Sequence, residues 1–188
     1  MAVKYCAQCG APVVRKIPPG ETLLRYVCEA CRTIHYQNPK IVAGCIPEWG
    51  DRILLCRRAI EPQHGFWTFP AGFMENDETT EQAAARETLE EAQAEVEIGS
   101  LYAVFTLTHV NQVYMVFRGR LRTPRFEAGD ESLDVELVHP DKIPWDQLAF
   151  PVIQETLNRY VEDIRHGHFG VHVGKVERMR RMPEGWRP

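Results

Sequence analysis

Apolar and polar positions along this chain of 188 residues change their period several times, and each change marks an element. Two apolar runs, Ile41-Val-Ala-Gly-Cys-Ile46 and Ile53-Leu-Leu-Cys56, predict neighbouring strands near residues 41–48 and 52–58, joined by a hairpin-like turn at Glu48-Trp-Gly-Asp51. From Glu78 to about Ala92 no Gly or Pro interrupts the chain, and Ala83, Ala84 and Ala85 favour helix. Strands are predicted near 95–107 and 112–122. A short one from Leu133 to His139 precedes the breaker Pro140-Asp-Lys-Ile-Pro144. A second helix runs from about Pro151, which suits a first helical turn, to Arg165. Residues 167–188 show little periodicity, so a partly ordered tail is expected there. Strands interleaved with two helices imply a mixed sheet covered by helices, an α/β fold.

The first 37 residues follow another logic. Cys6-Ala-Gln-Cys9 and Cys28-Glu-Ala-Cys31 form paired C-x2-C knuckles with the turn Ile17-Pro-Pro-Gly20 between them. Four thiolates at this spacing suit tetrahedral Zn²⁺ in a closed, structural site. Two disulfides or a redox dithiol pair are the alternatives. A segment this short buries too little apolar surface to fold unaided, and zinc supplies what is missing. Asn38-Pro39 marks a hinge, so the expected organisation is a zinc ribbon over 1–37, a main domain over 38–166 and a tail over 167–188. Cys45 and Cys56 lie inside apolar strands and read as small buried hydrophobes.

Composition narrows the function classes. Hydrophobic residues make up 44% of the chain, enough for a core, and no run approaches the ~20 apolar residues of a membrane span. A net charge of −4 gives no general pull toward nucleic acid. Basic residues do gather in the ribbon (Lys4, Arg15, Lys16, Arg25, Arg32) and in the tail (Lys175, Arg178, Arg180, Arg181, Arg187). Met1 to Gly10 is polar and lacks an apolar signal core, so a reducing, cytoplasmic setting is expected.

The chemistry concentrates on the first helix. Glu87, Glu90 and Glu91 stand at i, i+3 and i+4, which puts three like charges on one face. Such a run is either a solvated acidic face or a seat for oxygen-ligand cations such as Mg²⁺ or Mn²⁺. The spacing decides between them. Gly72, Glu78, Arg86, Glu87, Glu90, Glu91 and Ala94 fall on the positions of the Nudix box, G-x5-E-x7-R-E-U-x-E-E-x-G-U, where U is a bulky aliphatic residue. The lead-in Gly65-Phe-Trp-Thr-Phe-Pro-Ala-Gly72 is similar to the family's G-x-W-x-x-P-G-G. The clear departure is Gln93, where the family has a Gly just past the helix.

This resemblance to the Nudix superfamily implies an α/β/α sandwich and a hydrolase that cleaves a nucleoside diphosphate linked to another moiety, with water attacking phosphorus. It implies Glu87, Glu90 and Glu91 as ligands of Mg²⁺ or Mn²⁺, with the carbonyl of Gly72 or Ala71 as a further ligand. Arg86 and Glu78 brace the acids. The general base is a box glutamate (Glu90 or Glu91) or a loop acid, Glu131 first and Asp134 second.

Substrate identity comes from outside the box. The zinc-ribbon NADH pyrophosphatase group, which also removes NAD caps from RNA, carries S-Q-P-W-P-F-P-x-S after it. Thr106-Leu-Thr-His-Val-Asn-Gln-Val-Tyr114 has no such array. The order of motifs instead resembles a bacterial zinc-ribbon branch of ADP-ribose and FAD pyrophosphatases, and those two substrates are favoured. NADH or NAD-capped RNA, and a nucleotide-sensing module without turnover, are the alternatives. The intact glutamate set speaks against the sensor. His109, Asn111 and Gln112 offer hydrogen bonds and Tyr114 a stacking face; Trp67 and Phe66 read equally as a base wall or as core, and Phe69 as core. Arg57 and Arg58 end a strand whose alternation turns one of them toward the site; either could grip a phosphate, and Arg57 is carried as the candidate. A small nucleotide substrate is the expected partner, no membrane contact is expected, and the resemblance allows a homodimer.

Overall fold

The computed structural model describes residues 3–177. The chain divides into two compact units, residues 1–39 and 40–188.

In the first unit, β1 (Val13–Lys16), β2 (Arg25–Cys28) and β3 (Ile34–His35) form a small antiparallel sheet in that order. The two knuckles close by left-handed residues, Gly10 at φ 74° and Arg32 at φ 61°, and the Cys28 N–H reaches back to the Thr33 carbonyl at 2.9 Å. Few apolar side chains are buried here, chiefly Cys6, Val27 and Cys28.

The second unit is a mixed sheet between two helices. Its strands are β4 (Lys40–Trp49), β5 (Arg52–Arg58), the short β6 (Trp67–Thr68) and β7 (Ala71–Phe73), β8 (Val96–Leu107), β9 (Gln112–Leu121), β10 (Ser132–Val138) and β11 (His172–Lys175). The order across the sheet is β10-β5-β4-β9-β8-β11, with β6 on β5 and β7 on β4. β4 runs parallel to β9, and β11 parallel to β8; the remaining pairs are antiparallel. Alternation in β5 shows the layering: Ile53 and Leu55 pack with Val152, Ile153 and Leu157 of α2 (Pro151–His166), while Leu54 and Cys56 pack with Ala83 and Ala84 of α1 (Thr80–Ala92). This is the expected α/β/α sandwich. Phe69, Cys45 and Cys56 are buried in it, as their sequence context predicts. No helix among the described residues is long and apolar enough to cross a membrane.

The tail holds more structure than its sequence advertises. After Gly167 ends α2 at φ 64°, residues 172–175 return as an edge strand on β8. Asp163 fastens this return, because its Oδ2 accepts from Tyr102 Oη at 2.9 Å and faces His172 Nε2 at 2.7 Å. Val176 is buried behind it. Arg178, Arg180, Arg181 and Arg187 lie outside the described residues.

Candidate active site and metal centre

Helix α1 starts with a reciprocal cap. Thr79 Oγ1 accepts the Gln82 N–H at 3.2 Å, and Gln82 Oε1 accepts the Thr79 N–H at 2.7 Å. Strand β7 carries Gly72 against this helix through pairing with β4, Ala43 opposite Gly72. A Cβ at Gly72 would fall 2.3 Å from the carboxyl carbon and both oxygens of Glu87, so glycine is required for Glu87 to rest on this backbone. On β4, a Cβ at Gly44 would meet the Ala71 Cβ at 2.6 Å, and its absence lets the lead-in close onto the sheet.

Glu87 and Glu91 are buried, while the Glu90 side chain is 58% exposed. Arg86 spends its guanidinium on three acids and one backbone carbonyl. It reaches Glu78 through two bonds (3.0 and 2.8 Å), Glu87 Oε1 at 2.7 Å, Glu90 Oε2 at 2.9 Å and the Phe73 carbonyl at 3.2 Å. The Arg86 contacts hold the Glu78 carboxyl near about 2. Burial raises Glu87 despite Arg86, and burial plus the neighbouring Glu87 charge pushes Glu91 up to about 8. Glu91 Oε2 is buried without any hydrogen-bond partner among the described residues. A carboxylate oxygen sealed from water and left unpaired is costly unless a cation takes it. Three carboxylates with oxygen donors only, one of them orphaned, fit a hard divalent cation, Mg²⁺ or Mn²⁺.

The helix exit explains how the chain tolerates Gln93. Gln93 itself takes the left-handed conformation, φ 48°, and its N–H reaches the Leu89 carbonyl at 2.9 Å. A loop then occupies the free end of the helix. The Glu127 N–H donates to the Ala92 carbonyl at 2.9 Å, and the Gly129 N–H to the Glu91 carbonyl at 3.1 Å. A Cβ at Gly129 would lie 1.8 Å from the Glu90 carbonyl oxygen, so no other residue permits this approach. The hook brings Glu131 within electrostatic reach of Glu87 and Glu91, both of which its charge pushes upward. Asp134 instead uses Oδ1 on the Val135 N–H at 2.9 Å.

The sequence candidates for substrate contact separate. Tyr114 is half-buried on β9, opposite Val42, whose other neighbour is Phe73 of β7; burial raises its phenol to about 12, with Arg58 and Glu91 both felt there. His109 and Asn111 are exposed in the β8–β9 turn. Asn111 serves that turn, with φ 54° and its carbonyl on the Lys40 N–H at 2.9 Å. Trp67 is core, packed with the α2 side of the sheet, and its carbonyl accepts the Ala149 N–H at 2.8 Å. Arg57 is exposed, with Nε on the Gly65 carbonyl at 2.9 Å. Arg58 is the arginine whose charge bears on Glu91. Its guanidinium lies over the Phe150 ring, 5.2 Å from the centroid, and Nε donates to the Pro62 carbonyl at 3.0 Å.

In the ribbon, the Sγ atoms of Cys6, Cys9, Cys28 and Cys31 all lie within 4.8 Å of one another. Cys6–Cys31 and Cys9–Cys28 are each 3.5 Å apart, close to the ~3.8 Å between sulfurs of a tetrahedral Zn–S site and far longer than a disulfide. The Gln8 N–H and His35 Nε2 approach Cys6 Sγ at 3.4 and 3.2 Å. All six cysteines are free thiols, and these four fit a structural zinc.

Comparison with known proteins agrees with this geometry. A MutT-like protein of Streptomyces ambofaciens is 35% identical over 102 residues, 54% of this chain and 64% of its own. An NAD-capped RNA hydrolase NudC of Salmonella schwarzengrund is 30% identical over 167 residues, 85% of this chain and 59% of its own. The chain therefore spans less than two thirds of the length of either relative. The crystal structure of a NUDIX hydrolase from Nitrosomonas europaea superposes with a TM-score of 0.91 at 55% identity, covering 94% of this chain and all of that one. An ADP-ribose pyrophosphatase from Streptococcus suis shares the fold at a TM-score of 0.60 and 21% identity, over 72% of this chain and 99% of its own. Residues 4–37 match the Nudix N-terminal zinc ribbon and residues 38–158 the NUDIX domain. The chain belongs to the NUDIX domain family, as a Nudix hydrolase domain carried behind an N-terminal zinc ribbon.

Proposed function

We propose that this protein is a divalent-metal-dependent pyrophosphohydrolase that cleaves the diphosphate linkage of a nucleoside diphosphate derivative, with FAD or ADP-ribose favoured. One observation carries the reading: the orphaned Glu91 Oε2, buried beside Glu87 on a glycine backbone that leaves it room. Glu87, Glu90 and Glu91, with the Gly72 or Ala71 carbonyl, would hold the ions. Held there, Mg²⁺ or Mn²⁺ would supply positive charge against the diphosphate and make water a better nucleophile. Arg86 fixes the Glu87 and Glu90 carboxylates. Glu131 accepts the proton of the attacking water, a role favoured over Asp134 because Asp134 is committed to its own strand. The water then attacks one phosphorus, and the second phosphate leaves with its moiety. Tyr114, half-buried where the charges of Arg58 and Glu91 are both felt, is the side chain we assign to the nucleoside. Free thiols throughout suit a reducing compartment such as the cytoplasm.

Likeness to NAD-capped RNA hydrolases over 85% of the chain favours a second reading, in which the diphosphate belongs to an NAD end. A hydrolysis panel of FAD, ADP-ribose, NADH and NAD-capped RNA with Mg²⁺ or Mn²⁺, run beside Glu91→Gln, tests both. Metal-dependent turnover of one substrate class, lost in the variant, is expected. Full activity in Glu91→Gln sinks the metal assignment, and preference for capped RNA transfers the reading to the second.

A further inference from the structure

The end of the sheet remote from the carboxylates holds a cavity of about 400 Å³, lined by Trp49, Glu97, Arg120, Leu121 and Arg122. Strand β4 links the two places. Its Ala43 and Gly44 pair with β7 beside Glu87, while Trp49 lies five residues beyond Gly44, about 16 Å at the rise of a strand. Gly50, at φ 62°, turns the β4–β5 hairpin directly after Trp49 and leaves the indole at the sheet end. There Trp49 is half-buried against the α1-side core, to which the buried Leu121 also belongs. The polar lining is unpaired. Arg120 and Arg122 are exposed, and neither guanidinium makes a hydrogen bond, ion pair or ring contact among the described residues. Arg120 stands between two acids, Glu48 on β4 and Glu97 on β8. Glu48 is already taken, since it accepts from Arg118 at 2.7 and 3.1 Å and from Tyr160 Oη at 3.0 Å. Glu97 closes no ion pair among the described residues, although it lies directly across from Arg120. Arg52, exposed and opposite Trp49 on β5, adds a third cation nearby.

These parts complement one kind of molecule. Two guanidinium groups two residues apart, with about 7 Å between their Cα atoms, repel each other until an anion lies between them. Their planar forks match the oxygens of a phosphate. Trp49 with Leu121 offers an apolar wall on which a flat ring stacks. A carboxylate without a partner accepts from the exocyclic amino group of a base. A bare anion would leave the indole unused, and a neutral ring would leave the arginines unused. The volume falls within the roughly 300–1,000 Å³ of small-molecule sites.

We infer that this cavity is a second nucleotide site, separate from the metal centre. It takes a nucleoside monophosphate, with the phosphate between Arg120 and Arg122, the base on Trp49 and the base amino group on Glu97. The inference goes beyond the pyrophosphohydrolase reading and fails separately from it, because binding is measured without turnover. Calorimetry on the full, zinc-loaded chain, with no Mg²⁺ or Mn²⁺ added, compares AMP, IMP and inorganic phosphate. AMP should bind one to one, at least fivefold tighter than IMP and at least tenfold tighter than phosphate. Arg120→Ala and Arg122→Ala should each weaken AMP tenfold or more, with Arg120→Lys falling between Arg120→Ala and the parent. Glu97→Gln, whose amide also donates to the oxygen of the IMP base, should narrow the preference for AMP to within twofold. Glu91→Gln should leave AMP affinity within twofold, which separates this site from the metal centre. The Trp49 indole N–H resonance, assigned by its loss in Trp49→Phe, should shift as AMP is added. Absence of AMP binding by the parent overturns the proposal, as does a Trp49 resonance that stays still. AMP affinity that falls in Glu91→Gln but not in Arg120→Ala or Arg122→Ala moves the binding to the metal centre and also overturns it. Phosphate binding as tightly as AMP reduces the cavity to an anion patch and removes the nucleotide assignment.

Discussion

The ribbon and the sandwich each gather like charges, but they hold them differently. Four ribbon thiolates sit within 4.8 Å on a sheet that buries little else, so their metal is the core of that unit. Three sandwich carboxylates stand on a helix already seated by alanines and by β4 and β5, and Arg86 neutralises part of their charge before any ion arrives. The first cluster exists to make a fold. The second is imposed on a fold that can carry its cost, which is why one of its oxygens is left without a partner.

The sharpest way to break that contrast is to remove the metals. Stripping zinc, or Cys28→Ser, should unfold residues 3–37, a loss on the apparent scale of about 10–16 kcal/mol, while the sandwich stays intact. Amide NMR spectra would show ribbon resonances collapsing alone; a ribbon that stays folded without zinc ends the comparison. Withholding Mg²⁺ and Mn²⁺ should leave both units folded. Glu91→Gln should lower turnover by more than about 100-fold, beyond the usual effect of outer-shell partners. Because burial disfavours the Glu91 carboxylate, the same variant should melt higher than the parent in the absence of metal, read by calorimetry. Arg86→Ala, which frees Glu78, Glu87 and Glu90 together, should cost about 2–3 kcal/mol by denaturant titration.

Smaller effects sharpen the picture at the sandwich's own edge. Asp163→Asn should cost about 1–2 kcal/mol and raise hydrogen exchange across residues 172–175. Burial pushes the Asp163 carboxyl up, but bonds from His172 and Tyr102 outweigh it and hold the group below its usual value. With the folded pKa depressed, its stabilisation is complete above about pH 4 and is lost as pH falls through the lower folded value. Exchange protection of β11 should follow that course, and a strand whose protection is flat with pH would remove Asp163 as its fastener. Gln93→Gly should stabilise by up to about 1 kcal/mol, since Gln93 holds a left-handed conformation that glycine adopts without strain.

What could be read from the sequence is what depends on near neighbours along the chain. The thiolate knuckles and the Glu87–Glu91 face are fixed by short spacings, and the two helices and main strands by their periodicity. The remainder depends on contacts between distant segments. Which of Arg57 and Arg58 bears on Glu91 follows only from the packed structure, where Arg58 lies over Phe150 and Arg57 reaches the Gly65 carbonyl. Trp67 reads as a base wall or as core until α2 is seen packing on its side of the sheet. Gly129 looks like any loop glycine until Glu90 is found where its side chain would be. Strand β11 has no alternating pattern, because its place comes from β8 and from Asp163 rather than from its own residues.

That last strand also sets an order of assembly. β8 borders β9 on one side and β11 on the other, and β11 follows every other strand of the sheet in the chain. During synthesis the β8 backbone between Ala103 and Thr106 therefore waits with one edge open until residues 172–175 have emerged. An open edge beside apolar side chains invites pairing between molecules. Premature termination upstream of β11 would leave the carboxylate helix and its glycine seat intact, and yet yield chains prone to associate through β8.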